Sequence, residues 1–351
     1  MAADGQGRAG LALTITQHAP AAESRGGRLR RWHLGVATVA LLVAAYLSLA
    51  VGVVDIPVGD LLDPSPAQWQ LLSLSRIPRV LSILMAGAAL SVAGLIMQRI
   101  TQNSFVSPST SGTTEAAILG VLIATLVVPG ESLLAKMVLA IGVSLLGTFG
   151  FLQILGRMPA RDPIVVALVG LMYGGVIGAV TVFIAYQVDL LQLLEIWSSG
   201  SFSAAMAGQY EPLYLVIAVG LVGYLYADRF TVVGMGREFA TNLGVSYRAV
   251  LNIGLVIVSV MAATVIVVVG TIPFLGLIVP NVVSLLMGDH VRRTLPVTAL
   301  AGAGFVLLCD VIGRVIRFPY EVPVGTVAGV IGAAVFVWLV MRSAAGKEAH
   351  G

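Results

Sequence analysis

The chain has 351 residues, 58% of them hydrophobic and only 11% charged, with a formal net charge of +3. Ordinary soluble domains carry roughly 25% charged residues, so a soluble enzyme of this length is excluded, and the apolar residues suffice for about ten spans of about 20 residues each. One cysteine, Cys309, and four scattered histidines (His18, His33, His290 and His350) exclude a disulfide framework and a multi-thiolate zinc or iron–sulfur centre, so no metal site is expected.

Residues 1–33 are polar and Gly/Ala-rich, with Arg25, Arg28, Arg30 and Arg31 just ahead of the first apolar run. They are expected to form a disordered, basic cytoplasmic tail. The run 34–54 is too long for the apolar core of a secretory signal and is long enough to span. Further apolar runs follow at 79–99, 113–128, 133–155, 164–187, 212–227, 249–270, 276–287, 296–313 and 324–341. Between them lie turn-forming and charged breaks such as Gln102-Asn103-Ser104, Pro129-Gly130-Glu131, Asp228-Arg229 and Gly288-Asp289-His290. The run 276–287 is short, with Pro273 before it and Pro280 within it. It is expected to be broken and buried among its neighbours, where freed backbone groups find partners.

Ten spans bring both termini to one side. With the N-terminus in the cytoplasm, only Arg76, Arg79, Lys136, Arg314 and Arg317 of the 20 Lys and Arg residues fall outside, an asymmetry that supports this orientation. The positive balance therefore reflects cytoplasmic loops, and no nucleic acid partner is expected. Small residues at helical spacing (Gly170, Gly174 and Gly178; Gly325 and Gly329; Gly87 and Ser91) predict faces where helix backbones approach closely. Asp310 and Arg314, four residues apart, are expected to face each other as an ion pair at a helix end.

Several chemistries lack their residues. No G-x-x-x-x-G-K-[ST] loop is present, so the chain does not bind ATP by that route. No G-x-S-x-G elbow or other catalytic constellation appears. Ionisable residues within the spans are few, Glu115 near one start and Asp310 near one end, whereas a self-contained secondary transporter needs carboxylates along its ion path. The driving energy is expected to come from outside the chain.

Three stretches together resemble the permease subunits of iron–siderophore and cobalamin ABC importers, the FecCD-type family. The first is Arg76-Ile77-Pro78-Arg79 with Gly87-Ala88-Ala89-Leu90 and Gly94-Leu95-Ile96-Met97-Gln98. The second is Gly236-Arg237-Glu238-Phe239-Ala240-Thr241-Asn242-Leu243-Gly244-Val245. The third runs from Gly270 to Pro280, then through Asp310 to Arg314 and Glu321-Val322-Pro323-Val324-Gly325. Where the family continues Asn-Pro-Leu-Ala-x-Pro, this chain has Asn103-Ser104-Phe105-Val106-Ser107-Pro108, which resembles the petrobactin/anguibactin-type subgroup.

The resemblance implies an all-α integral membrane protein of about ten transmembrane helices with type II ABC importer permease architecture. The domains would be a tail at 1–33, a permease domain at 34–342 and a cytoplasmic tail at 343–351. It implies ferric siderophore as cargo, with a cobalamin or haem importer permease of the same family as the alternative. The implied partners are a second permease subunit (a paralogue or the same chain), an ATP-binding cassette ATPase dimer and an extracytoplasmic siderophore-binding protein. The protein would lie in the bacterial cytoplasmic (inner) membrane with both termini inside. No cofactor is expected on this chain, because the partner ATPase uses the ATP.

Site residues follow from the same resemblance. Arg76, Arg79 and Arg314 would dock the binding protein, since a guanidinium fork recognises carboxylates bidentately. Gly236, Arg237, Glu238, Phe239, Ala240, Leu243 and Gly244 would form a short helix coupled to the ATPase. Gln98, Asn103, Ser107 and Thr113 are candidate pore-lining residues, although uncharged groups at a turn also serve simply to satisfy its backbone.

Overall fold

The computed structural model describes residues 31–52, 56–130, 132–158 and 163–348 and, among these, holds only helices, turns and loops. The expected N-terminal tail lies outside the described residues, apart from the first turn of the first helix. The chain order is α1 (Arg31–Ala50), α2 (Pro66–Leu71), α3 (Ile77–Thr101), α4 (Thr113–Val127), α5 (Leu133–Arg157), α6 (Pro163–Gln187) and α7 (Leu191–Ser199). It continues with α8 (Tyr214–Leu225), α9 (Ala227–Gly234), α10 (Arg237–Asn242), α11 (Tyr247–Val269), α12 (Leu275–Met287), α13 (Val291–Val315) and α14 (Val324–Glu348).

Each of the ten expected apolar runs coincides with one of these segments. Five continuous helical stretches are long and apolar enough to cross a membrane: Pro66–Thr101, Leu133–Arg157, Pro163–Gln187, Tyr247–Val269 and Val291–Val315. A sixth is the pair Glu211–Leu225 and Ala227–Gly234, bent by 60°. Four shorter apolar helices, Leu34–Ala50, Thr113–Val127, Leu275–Met287 and Val324–Leu339, make up the ten.

Three details differ from expectation. Asp228 and Arg229 do not end a span; they lie inside α9, beyond the bend. The helix α12 runs unbroken through Pro280, although it is buried as expected from Leu275 to Pro280. Proline removes one intrahelical donor, and side chains reinforce this stretch: Gln98 Nε2 (3.3 Å) and Asn281 Nδ2 (2.8 Å) both donate to the Leu277 carbonyl. The third detail is the chain just ahead of α3. Ser65 caps α2 reciprocally with Gln68, and a π-helical turn at Leu72–Arg76 feeds directly into α3.

The helix α3 lies at the centre, with 83% of its most apolar window covered, against 22% for α6. Small residues set its contacts. A Cβ on Gly87 would lie 2.6 Å from the Gly302 carbonyl of α13, and one on Gly94 would strike the Gly276 carbonyl of α12. The predicted Gly87–Ser91 face is thus the seam with α13, where Gly87 and Gly302 let the backbones approach and the Ser91 side chain packs against Gly302.

Loops gather at two ends. At one, the chain after α1 meets the starts of α3 and α14, the end of α13 and the segment around Gly200, as in the bonds from Ser201 N to Val269 O (2.8 Å) and from Gly325 N to Gly200 O (3.0 Å). At the other, Arg99 pairs with Asp289 (2.7 Å) and Arg292 with Asp228 (2.6 Å), beside α10.

Candidate functional site

The first end is built around α1. The last carbonyls of a helix have no intrahelical donor, and here two arginines supply donors. Arg76 Nη1 donates to the carbonyls of Leu49 (2.7 Å) and Val51 (2.8 Å). Arg314 Nη1 donates to the carbonyls of Ser48 (3.1 Å) and Val51 (2.6 Å), while its Nη2 donates to the Ser48 hydroxyl. Arg76 and Arg314 are accordingly buried, 9% and 6% exposed.

Asp310, fully buried, holds the cluster together. Its Oδ2 pairs with Arg314 Nη2 at 2.6 Å, the ion pair expected from the i, i+4 spacing. Its Oδ1 accepts from Arg79 Nε (3.1 Å) and Nη2 (2.8 Å). Arg79 Nη1 reaches on to Glu321 Oε1 (2.8 Å), whose Oε2 accepts from the Ser203 hydroxyl (3.0 Å). Burial alone would raise the Glu321 carboxyl, but the Arg79 hydrogen bond and charge outweigh it and hold that group below the usual glutamate range.

The three candidate docking arginines therefore share one network, and two of them point inward. Only Arg79, with Glu321 beside it, reaches the rim. Three cations against two anions leave the cluster one positive charge in excess. Glu321 belongs to the network although the sequence showed it only within the Glu-Val-Pro-Val-Gly run; Ser203 carries no sequence signal at all.

At the opposite end, the expected short helix is present as α10. Gly236 precedes it with φ +114, and Gly244 follows with φ +73, a left-handed value that lets Gly244 N bond Thr241 O (3.0 Å) and Val245 N bond Ala240 O (2.9 Å). Ala240 is fully buried and anchors α10 to the bundle, whereas Phe239 is 48% and Leu243 58% exposed. Arg237 and Glu238 are exposed beside them. The helix thus presents an aromatic and an aliphatic side chain to its surroundings from a rigid seat.

The candidate pore-lining residues are engaged within the chain. Gln98 Nε2 donates to the Ser104 carbonyl (3.1 Å), and Asn103 bonds the Pro163 carbonyl (2.9 Å) and the Phe105 amide (2.9 Å). Ser107 is capped by Thr110, and Thr113 bonds Thr148 (2.8 Å). Their neighbours Ser109, Thr114 and Glu115 line a cavity of about 340 Å³ that also touches α3, α6, α7 and α12.

These features sit in a chain whose residues 40–342 match the model of the FecCD transport family. The chain belongs to the FecCD transport family. It is 46% identical to the petrobactin import system permease protein YclN of Bacillus subtilis over 87% of its length and 96% of that protein. It is 39% identical to the ferric-anguibactin transport system permease protein FatD of Vibrio anguillarum, over 79% of its length and 88% of that protein. In fold it is similar to a chain assigned to a metal-chelate type ABC transporter and solved in an inward-facing conformation, with a TM-score of 0.76, 24% identity and coverage of 89% of this chain and all of that one. This FecCD-family chain is therefore a multi-pass membrane transport subunit, with ATP hydrolysis left to a separate protein.

Proposed function

We propose that this FecCD-family chain is the permease subunit of an ATP-binding-cassette importer that moves ferric siderophore across the bacterial cytoplasmic membrane. The observation that carries the ATP-driven part is α10. Exposed Phe239 and Leu243 on a helix seated by buried Ala240 form a lever that a partner can grip and move. The cargo follows from the two relatives named for petrobactin and ferric-anguibactin. An ATPase dimer binds at the α10 end, which is cytoplasmic together with both termini. A second permease copy or paralogue completes the pore, and ATP is consumed by the partner. The Arg79–Glu321 rim faces outward and receives the siderophore-binding protein, its excess positive charge favouring carboxylates on the incoming surface.

Cysteine crosslinking tests the coupling role. Because Ala240 is buried, the reporter belongs at Leu243. Leu243→Cys is expected to crosslink to the ATPase in the assembled complex in a nucleotide-dependent manner, with Arg317→Cys at the opposite end as the negative control. No crosslink from Leu243 in a complex that hydrolyses ATP counts against the assignment. Uptake of ferric petrobactin, but not cobalamin, is the expected cargo preference in reconstituted vesicles.

A further inference from the structure

We propose that Glu115 and the hydroxyl groups around it form a subsite for a protonated amine on the transported chelate, a reading that rests on the importer function above. Glu115 sits in the first turn of α4 and is the one ionisable side chain among the residues described as lining the cavity of about 340 Å³. Its Oε2 is shielded from solvent and has no hydrogen-bond partner. A buried polar atom left so is costly, and the hydroxyl of Thr113, two residues before it, is engaged elsewhere, bonded to Thr148 at 2.8 Å. The α6 glycines make room for the carboxylate, since a Cβ on Gly174 would lie 3.2 Å from Oε2.

Three of the five hydroxyls that line the cavity, those of Thr181, Ser198 and Thr271, bear on what kind of ligand fits beside Glu115. Each carries a single donor proton, and all three protons are already committed to backbone carbonyls. Thr181 donates to Ile177 O (2.8 Å), Ser198 to Leu194 O (2.8 Å) and Thr271 to Ser198 O (2.7 Å). What these three present to the cavity is lone pairs. No Lys, Arg or His is among the described lining residues to neutralise Glu115. An anionic or carbonyl-bearing group meets no donor from these side chains, whereas an ammonium brings several donors and no acceptor and is complementary to them.

The test uses the complete importer, with its ATPase and binding protein, in proteoliposomes. The probes are a ferric catecholate carrying a primary amine and the same chelate with that amine acetylated. Wild-type protein is expected to take up the amine form preferentially. Glu115→Gln should lower its uptake roughly tenfold, the loss of about one charge-assisted hydrogen bond, and leave the acetylated form unchanged. Thr271→Val, which keeps the side-chain shape and removes one acceptor, should give a smaller loss with the same selectivity and serves if Glu115→Gln does not assemble. Equal losses for both chelates, or no loss for either, overturn the subsite while the importer reading stands. Uptake that instead becomes sodium-dependent in wild type and sodium-independent in Glu115→Gln overturns it in favour of a metal-cation site. Failure of wild-type protein to transport either chelate overturns the importer reading and this inference with it.

Discussion

Replacing Asp310 with asparagine keeps the shape of the side chain and removes the charge that Arg79 and Arg314 share. In the native chain the carboxylate is fully buried, accepts from Arg79 at 3.1 and 2.8 Å and is ion-paired with Arg314 at 2.6 Å. Breaking a buried pair by removing one partner costs roughly 3–5 kcal/mol, because a charge is left without compensation. Both arginines retain something here: Arg79 keeps Glu321, and Arg314 keeps the Ser48 and Val51 carbonyls. The expected loss for Asp310→Asn is therefore at the lower end, about 3 kcal/mol. Glu321→Gln removes a pair whose side chains are 16% and 28% exposed, and should cost about 1 kcal/mol or less. Thermal unfolding of purified protein in detergent, followed by tryptophan fluorescence, measures the ranking. Asp310→Asn within about 0.5 kcal/mol of wild type, or no more destabilising than Glu321→Gln, would refute the argument that Asp310 holds this end together.

Other expectations follow from neighbouring contacts. Arg79→Gln should weaken capture of the binding protein roughly tenfold, whereas Glu321→Gln, by freeing Arg79, should strengthen it; a titration in which both variants weaken capture points to a merely structural role. Glu321 is held below its ordinary value of 4.5, so its contribution is present above that pH and fades as pH falls through the lower folded value. The acid limb of the stability curve should accordingly flatten in Glu321→Gln, and an unchanged limb would contradict this. Gly94→Ala should abolish correctly folded protein in a membrane-extraction assay, since its methyl group meets the α12 backbone rather than a movable side chain; normal yield would show that α3 and α12 can part.

Most of the scaffold was legible because a bilayer punishes exceptions. Apolar runs of spanning length, cut by pairs such as Asn103-Ser104 and Asp289-His290, appear as helices in the same order. Of the glycine faces, Gly87 meets Gly302 as a packing seam should, whereas Gly174 faces the Glu115 carboxylate and Gly329 the Pro273 side chain rather than a helix backbone. The misses have physical causes. Pro280 looked like a break, but α12 is packed on all sides from Leu275 to Pro280, and that tertiary burial, invisible in local sequence, keeps it continuous. Arg76 and Arg314 looked like outward-facing charges, yet the carbonyls they bond belong to the end of α1, and nothing in local spacing reveals that three separated segments converge there. Conversely α10 was readable because glycines flank it, and Gly244 adopts a left-handed conformation at its end.

The backbone contacts of α3 have a mechanical consequence. Where Gly87 faces Gly302 and Gly94 faces Gly276, there are no rotamers to absorb a slide, so α3, α12 and α13 act as a stator. The α5 and α6 helices are covered over only 33% and 22% of their most apolar windows, and a Cβ on Gly178 of α6 would meet nothing closer than 4.0 Å. The cavity that holds Glu115 has walls from both, Leu90 and Gly276 on the interlocked helices and Gly178 and Thr181 on α6. Motion of α6 against the stator would therefore change the room available at Glu115 while leaving the interlocked helices in register, a built-in clearance between a rigid frame and a sliding wall.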